Sequence, residues 1–376
     1  MAGGRFVAQR EIATRDPPPD DRSALDRLRD DLFYSAPAGA STLILMLVAG
    51  AASWWAIRWG ILDAVFTRDD PASASAACRV LEGRGACWAV IGDKLRLILF
   101  GIYPFDQQWR PASAVVLMIL LYALSVQRRF WRPALAGIWL AVLSVVGILM
   151  WGGVMGLPYV PDSEWGGLPI TLLLATFGLA FAFPIAIGLA LARQAREAPV
   201  IQTGAVSFIE FARGVPLLVV LFMASVMMPL FLPAGVEVSK LLRVLIAFTL
   251  FAAAYLAEVI RGGLQAIPKG QSEAAAALSL GYRQTMTWVI LPQALTIVIP
   301  GIVNIFIGFF KATSIVVVVG IFDLMTAAKR AVADPAWQGF GIEVYLFTGL
   351  VYFAFCFSLS RYSARLERDL DRGLHD

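Results

Sequence analysis

The chain has 376 residues, 59% hydrophobic and only 15% charged, with a mean hydropathy of +0.72, far from the roughly 45–50% apolar, about 25% charged balance of soluble domains. A soluble globular fold is thereby excluded, and the net charge of +4 belongs to arginines at the ends of apolar runs, a pattern of bilayer orientation and not of a nucleic-acid face. Strand alternation is absent, while apolar runs near the roughly 20 residues that cross a bilayer recur, so the predicted class is an all-α membrane protein.

In chain order, residues 1–37 form an N-terminal arm of mixed charge whose stretch "DDRSALDRLRDDLF" reads as a solvated, partly helical surface. The first apolar run begins near residue 38 without a small-residue cleavage site, so it is expected to stay as an anchor. About eight spans are predicted, near 41–61, 111–127, 134–155, 168–192, 214–232, 241–260, 294–321 and 343–360. Between the first two lies an outward segment at about 62–110 that carries Cys78 and Cys87. An oxidising exterior would let this pair close a short loop, although spacing alone leaves the bond open. Cys356 reads as a small packing residue in the last span. No cysteine–histidine metal cluster exists in the sequence, whose only histidine is His375.

Orientation follows from the short loops. "VQRRFWRP" carries Arg128, Arg129 and Arg132, and "ARQAREAPV" carries Arg193 and Arg196, whereas "GLPYVPDSEWGGLP" has neither Lys nor Arg. The first two loops therefore face the cytoplasm. Eight spans then place both termini inside, including the tail 363–376, in keeping with Arg361, Arg365, Arg368 and Arg372 after the last span.

Charges at bilayer depth cost roughly 2.5–3.5 kcal/mol on insertion scales and mark candidate functional positions. Arg213, with Gly214 and Pro216, opens the fifth predicted span as an anchor beside a backbone break. Glu258 precedes Arg261 by three residues, so an ion pair on one helix face stands against a role in a gate or substrate site. Lys311 lies deep in an apolar run, and Thr313 and Ser314 follow it. Either the lysine snorkels or the helix breaks there, and a cation with two hydroxyls suits a substrate carboxylate or an interrupted backbone.

The stretch "RGGLQAIPKGQSEAAAALSLGYRQTMTWVILP" reads as a helix-turn-helix on the cytoplasmic face, with Ser272 as the expected cap. Ala274 to Ala277 are helix-prone and nearly without bulk, so another surface could approach closely. Glu273, Ala274 and Ala275, followed by the run ending in Pro292, resemble the EAA loop of membrane subunits of ATP-binding-cassette (ABC) importers, which spans 268–292 here. That motif has a glycine six residues after its glutamate, where this chain has Ser279, and Gly281 is expected to supply the turn. "ARGVPLLVVLFM", "AAAYLAEVIRGGLQAIPKGQ" and "FFKATSIVVVVGIFDL" resemble polar amino-acid importer permeases, so 168–362 is similar to a five-span type I permease core. The additional spans of 38–167, with "KLRLILFGIYPFDQQWRP" and "AVADPAWQGFGIEVYLF", look like the general L-amino acid permease group.

The resemblance implies a subunit of a bacterial inner-membrane importer of L-amino acids. Its expected partners are a second related permease, an ABC ATPase dimer and a periplasmic amino-acid-binding protein. Its EAA loop would couple to the ATPase. No G-x-x-x-x-G-K-[ST] phosphate loop occurs, so the chain is expected to hold no cofactor, with ATP and Mg on the partner ATPase. A permease for another polar solute such as an opine and a secondary transporter are the alternatives; the latter would need inverted repeats and deep ion-binding carboxylates that the sequence lacks. A membrane scaffold would explain the helices but not the EAA loop.

Overall fold

The computed structural model describes residues 23–66, 71–80, 85–130, 133–195, 197–233 and 235–375. Most of the N-terminal arm, and the orientation markers Arg132 and Arg196, lie outside them. The described residues divide into two units, one built on residues up to Ala64 and the other on the chain from Val65 onward.

The first unit contains α1 (Ala24–Leu32) and α2 (Ala36–Ile57). Ser23 and Ser35 cap them by accepting from Asp26 N and Ala38 N, and Pro37 stands in the first turn of α2, where its missing N–H costs nothing. One π-helical turn, Arg58–Leu62, extends α2, and Arg58 pairs with Asp63 at 2.9 Å.

The second unit holds α3 (Pro71–Val80), α4 (Ala89–Phe100), α5 (Trp109–Val126), α6 (Pro133–Trp151), α7 (Gly167–Arg193), α8 (Pro199–Gly214), α9 (Leu217–Phe222), α10 (Lys240–Ala266), α11 (Lys269–Ala277), α12 (Tyr282–Gln284), α13 (Leu291–Ala312), α14 (Leu324–Val332) and α15 (Gly341–His375). Helices α7 and α10 form its centre and are the most buried of the apolar spans. Two glycines allow close approach: a Cβ on Gly178 would stand 2.7 Å from a ring carbon of Phe248, which packs on the bare α7 backbone, and one on Gly263 would stand 2.6 Å from the backbone oxygen of Ala294. Small residues at such crossings leave room for a neighbouring ring or backbone to come close.

These contacts also set helix direction. Gly178 meets Phe248, and further along both helices Arg193 pairs with Glu258, so α7 and α10 run parallel. Parallel neighbours joined by a short segment require that segment to return across the layer. Among the described residues seven helices are long and apolar enough to span, and the pair Pro199–Gly214 and Leu217–Phe231, bent by 103°, brings the number to eight if it is counted as one span. The fifth span expected at 214–232 corresponds to the second half of this pair, and Arg213 lies at the bend that precedes it. The bend follows from Pro216, which offers no N–H to continue the α8 ladder.

Residues 71–80 and 85–100 are stitched onto one end of the core. Cys78 and Cys87 form a disulfide with Cα atoms 5.6 Å apart. Cys87 N donates to the buried Glu343 carboxylate at 2.9 Å, and Trp337 Nε1 donates to Asp93 at 2.7 Å. Lys94 bridges Asp93 at 3.0 Å and Asp334 at 2.6 Å. Burial opposes the charge on Lys94, but its hydrogen bonds to Asp334 and Asp93 outweigh that and hold its pKa above 10.5. The same hydrogen bond from Lys94 keeps Asp334 below 3.8. Asp323 caps α14 by accepting from Met325 N and Thr326 N, while burial pushes its own carboxyl up.

Candidate functional site: the coupling element and the cavity at the helix bend

Helix α11 begins at Lys269 behind Pro268, so the cap expected of Ser272 is not made; the Ser272 hydroxyl donates to Lys269 O instead. Glu273, Ala274, Ala276 and Ala277 are exposed, and Ala275 alone turns inward at 2% exposure. The Glu273 carboxylate makes no hydrogen bond or ion pair among the described residues, and the apolar side chains of Leu278 and Tyr282 stand beside it in solvent.

The turn that ends α11 is a Schellman motif. Leu280 N donates to Ala275 O at 3.1 Å, and Ser279 N to Ala276 O at 2.9 Å. Its left-handed position is Ser279, at φ 58°, whereas Gly281 has φ −70°. The expectation that Gly281 supplies the turn is therefore corrected, because the special backbone conformation falls on the very position where the resembling motif carries glycine. From Tyr282 the chain is helical without a break through α12, a π-helical stretch Thr285–Ile290 and α13. Pro292 does not end this element. A π-helical stretch stands just before it, and Pro292 occupies the first turn of α13. Gln293 ties the two arms together, donating to Gln271 Oε1 at 3.1 Å.

Above this element, Glu258 gathers cations from three helices. Its carboxylate meets Arg261 on its own helix, Arg193 of α7 at 3.2 Å and Arg213 of α8 at 3.8 Å, and Arg193 also pairs with Glu210 at 3.0 Å. Three guanidinium groups against two carboxylates leave one positive charge in excess. Of the three, Arg213 borders a cavity of about 560 Å³ at the α8–α9 bend, together with Tyr255, Asn304 and the backbone of Gly214 to Pro216. Its guanidinium lies 5.7 Å from the centre of the Tyr255 ring.

Residues 182–372 match the family of binding-protein-dependent transport system inner membrane components. The chain belongs to that family. It is 44% identical to the inner membrane amino-acid ABC transporter permease protein YhdY of Escherichia coli (strain K12), over 84% of this chain and 85% of that one. It is 36% identical to the glutamate/glutamine/aspartate/asparagine transport system permease protein BztC of Rhodobacter capsulatus, over 99% of both. The solved structure described as an amino acid ABC transporter with histidines is 32% identical over 54% of this chain and 92% of that one, with a TM-score of 0.48.

As an inner membrane component of a binding-protein-dependent importer, the chain is a multi-pass transport subunit and not an enzyme, and it works with a substrate-binding protein and a separate ATPase. Within this family member the candidate residues separate into groups. Glu273, Ala274, Ala275, Ser279 and Gly281 share one exposed elbow, with Pro292 further along the following helix. Arg213 lines the cavity, and Glu258 meets it at 3.8 Å without lining the cavity itself. Lys311, Thr313 and Ser314 do not line it. Helix α13 runs past Lys311 to Ala312 and continues as the 3-10 stretch Thr313–Val319 in one span, so the helix tightens after Lys311 and does not break there. Lys311 is exposed and lies within electrostatic reach of Cys356 on α15, while the Thr313 and Ser314 hydroxyls donate to Phe310 O and Lys311 O. Both hydroxyls serve the backbone. Tyr255 and Asn304 were missed in the sequence; an asparagine between Gly301 and Gly308 in an otherwise apolar run is the signal that marks Asn304.

Proposed function

We propose that this chain is the permease subunit of an ABC importer that carries L-amino acids from periplasm to cytoplasm. The observation that carries this reading is the solvent-exposed, Schellman-capped elbow around Glu273, rigidly continuous with the spanning helix α13 that borders the cavity. An elbow with an unpaired carboxylate, bare alanines and exposed Leu278 and Tyr282 suits insertion into a cleft of the ATPase. ATP and Mg are held by that partner. The named relatives support amino acids as the cargo, and the excess positive charge at Arg213 supports recognition of an α-carboxylate there, with Tyr255 and Asn304 beside it.

The orientation that fits the arginine-rich loops puts the elbow and both termini in the cytoplasm, and 71–100 outside. A second, related permease completes the assembly and faces the α8–α9 bend across the pathway. The decisive experiment is copurification with the ATPase followed by Glu273→Lys. Release of the ATPase, with loss of ATP-driven uptake, is expected; retained binding and unaltered uptake would defeat the assignment.

A further inference from the structure

A second cavity, of about 430 Å³, lies between α5, α7, α13 and α15. Carbon dominates its wall: Ile119 and Val126 of α5, Leu172 of α7, Phe306 of α13, and Phe355 and Leu359 of α15. The Tyr122 hydroxyl at its floor is already bonded to Thr176, so the groove asks for no polar partner within the apolar layer.

Its lower end is different. From Gly341 to Tyr362, the last lining residue of α15, is about 31 Å at roughly 1.5 Å per residue, which reaches the far edge of a hydrocarbon layer about 30 Å thick. Immediately beyond come three arginines. Arg129 follows Val126 in the chain, Arg361 neighbours Tyr362, and Arg365 continues the stripe of Ser358 and Tyr362 by one more turn. All three are exposed, and among the described residues none forms an ion pair with a carboxylate. An apolar slot with exposed guanidinium groups at one end, of which Arg361 also lies over the Phe357 ring, is complementary to an acyl chain bearing an anionic headgroup.

We propose that this groove binds one anionic phospholipid, its acyl chain between α5, α13 and α15 and its phosphate held by Arg129, Arg361 and Arg365. A protein helix would leave those cations unpaired unless it brought its own acids to the interface. A zwitterionic lipid would satisfy them less well.

The test uses the purified full chain in its complex, with native mass spectrometry to count bound lipid during titration with phosphatidylglycerol or phosphatidylcholine. One tightly held phosphatidylglycerol per chain is expected. Changing Arg129, Arg361 and Arg365 to Gln should keep lipid in the groove but lower the preference for phosphatidylglycerol by about five-fold per arginine. Ala123→Trp, which fills the slot, should remove the bound lipid. Unchanged lipid count and preference in both variants would overturn the proposal, as would efficient cross-linking of Ala123→Cys to a neighbouring protein chain. Should the Trp variant misfold, the arginine variant decides alone, because its three positions are exposed and bear on headgroup choice rather than packing.

Discussion

Arg193 of α7 donates to Glu258 of α10 across 3.2 Å, joining two parallel helices that the chain connects only by crossing the layer in between. Because Glu258 also receives Arg261 and approaches Arg213, its removal leaves three cations facing one another. Glu258→Gln is expected to cost about 1.5–3 kcal/mol, the range for hydrogen bonds to charged groups. Thermal unfolding of the purified complex checks this, and a double-mutant cycle with Arg193→Gln should give coupling of the same sign.

Ser279 occupies a left-handed conformation that costs L residues about 1–2 kcal/mol. Ser279→Gly should therefore raise the melting temperature without weakening ATPase binding, and Ser279→Val should lower both. Gly281→Ala, at negative φ, should change little.

At the cavity, Arg213→Gln and Asn304→Leu are expected to reduce uptake while the ATPase stays bound. Lys311→Ala is expected to leave uptake near that of the parent, because Lys311 lies off the cavity wall. Initial uptake rates normalised to assembled complex separate these outcomes.

The Lys94–Asp334 contact sets an acid limb on stability. Asp334 is held below its ordinary 3.8 by the hydrogen bond from Lys94, so its stabilising contribution is complete above that value and is lost as pH falls through the folded-state pKa. Asp323 has the opposite sign: burial raises its pKa, so protonation relieves the folded state. Asp334→Asn should lower the melting temperature at neutral pH and remove the part of the decline below about pH 3.8 that this pair causes. A melting series against pH on parent and variant measures it.

Replacing Cys78 and Cys87 by serine should cost about 2–4 kcal/mol, the usual range for a disulfide. The loss should concentrate where α3 and α4 rest on α14, read by hydrogen exchange. After mild reduction, a membrane-impermeant thiol reagent added from outside should label both cysteines in intact spheroplasts. Labelling only after lysis would invert the orientation proposed for the chain.

Apolar length was enough to find most crossings in the sequence, because a continuous run of that size has few other uses in water. The crease that joins Pro199–Gly214 to Leu217–Phe231 is not legible in the sequence, since Glu210 and Arg213 are neutralised by residues far away in the chain. Pairings of that kind have no local signature. Ser279 was misjudged for a related reason: glycine is the usual mark of a left-handed turn, and Gly281 nearby drew the assignment. Lys311 drew attention by its depth, but depth along a helix does not say which face a side chain occupies. The resemblance of the elbow was legible because contact with another protein fixes residue types in one short stretch.

The glycine crossings have a mechanical side. Helix α10 seats the buried Phe248 ring against the bare backbone of α7 at Gly178 and meets the α13 backbone at Gly263, so the three behave as a stiff slab. A push at the elbow travels up α13 and into its neighbours with little lost motion. Among the described residues the compliance left in the core is gathered where the chain is already creased, at Pro216.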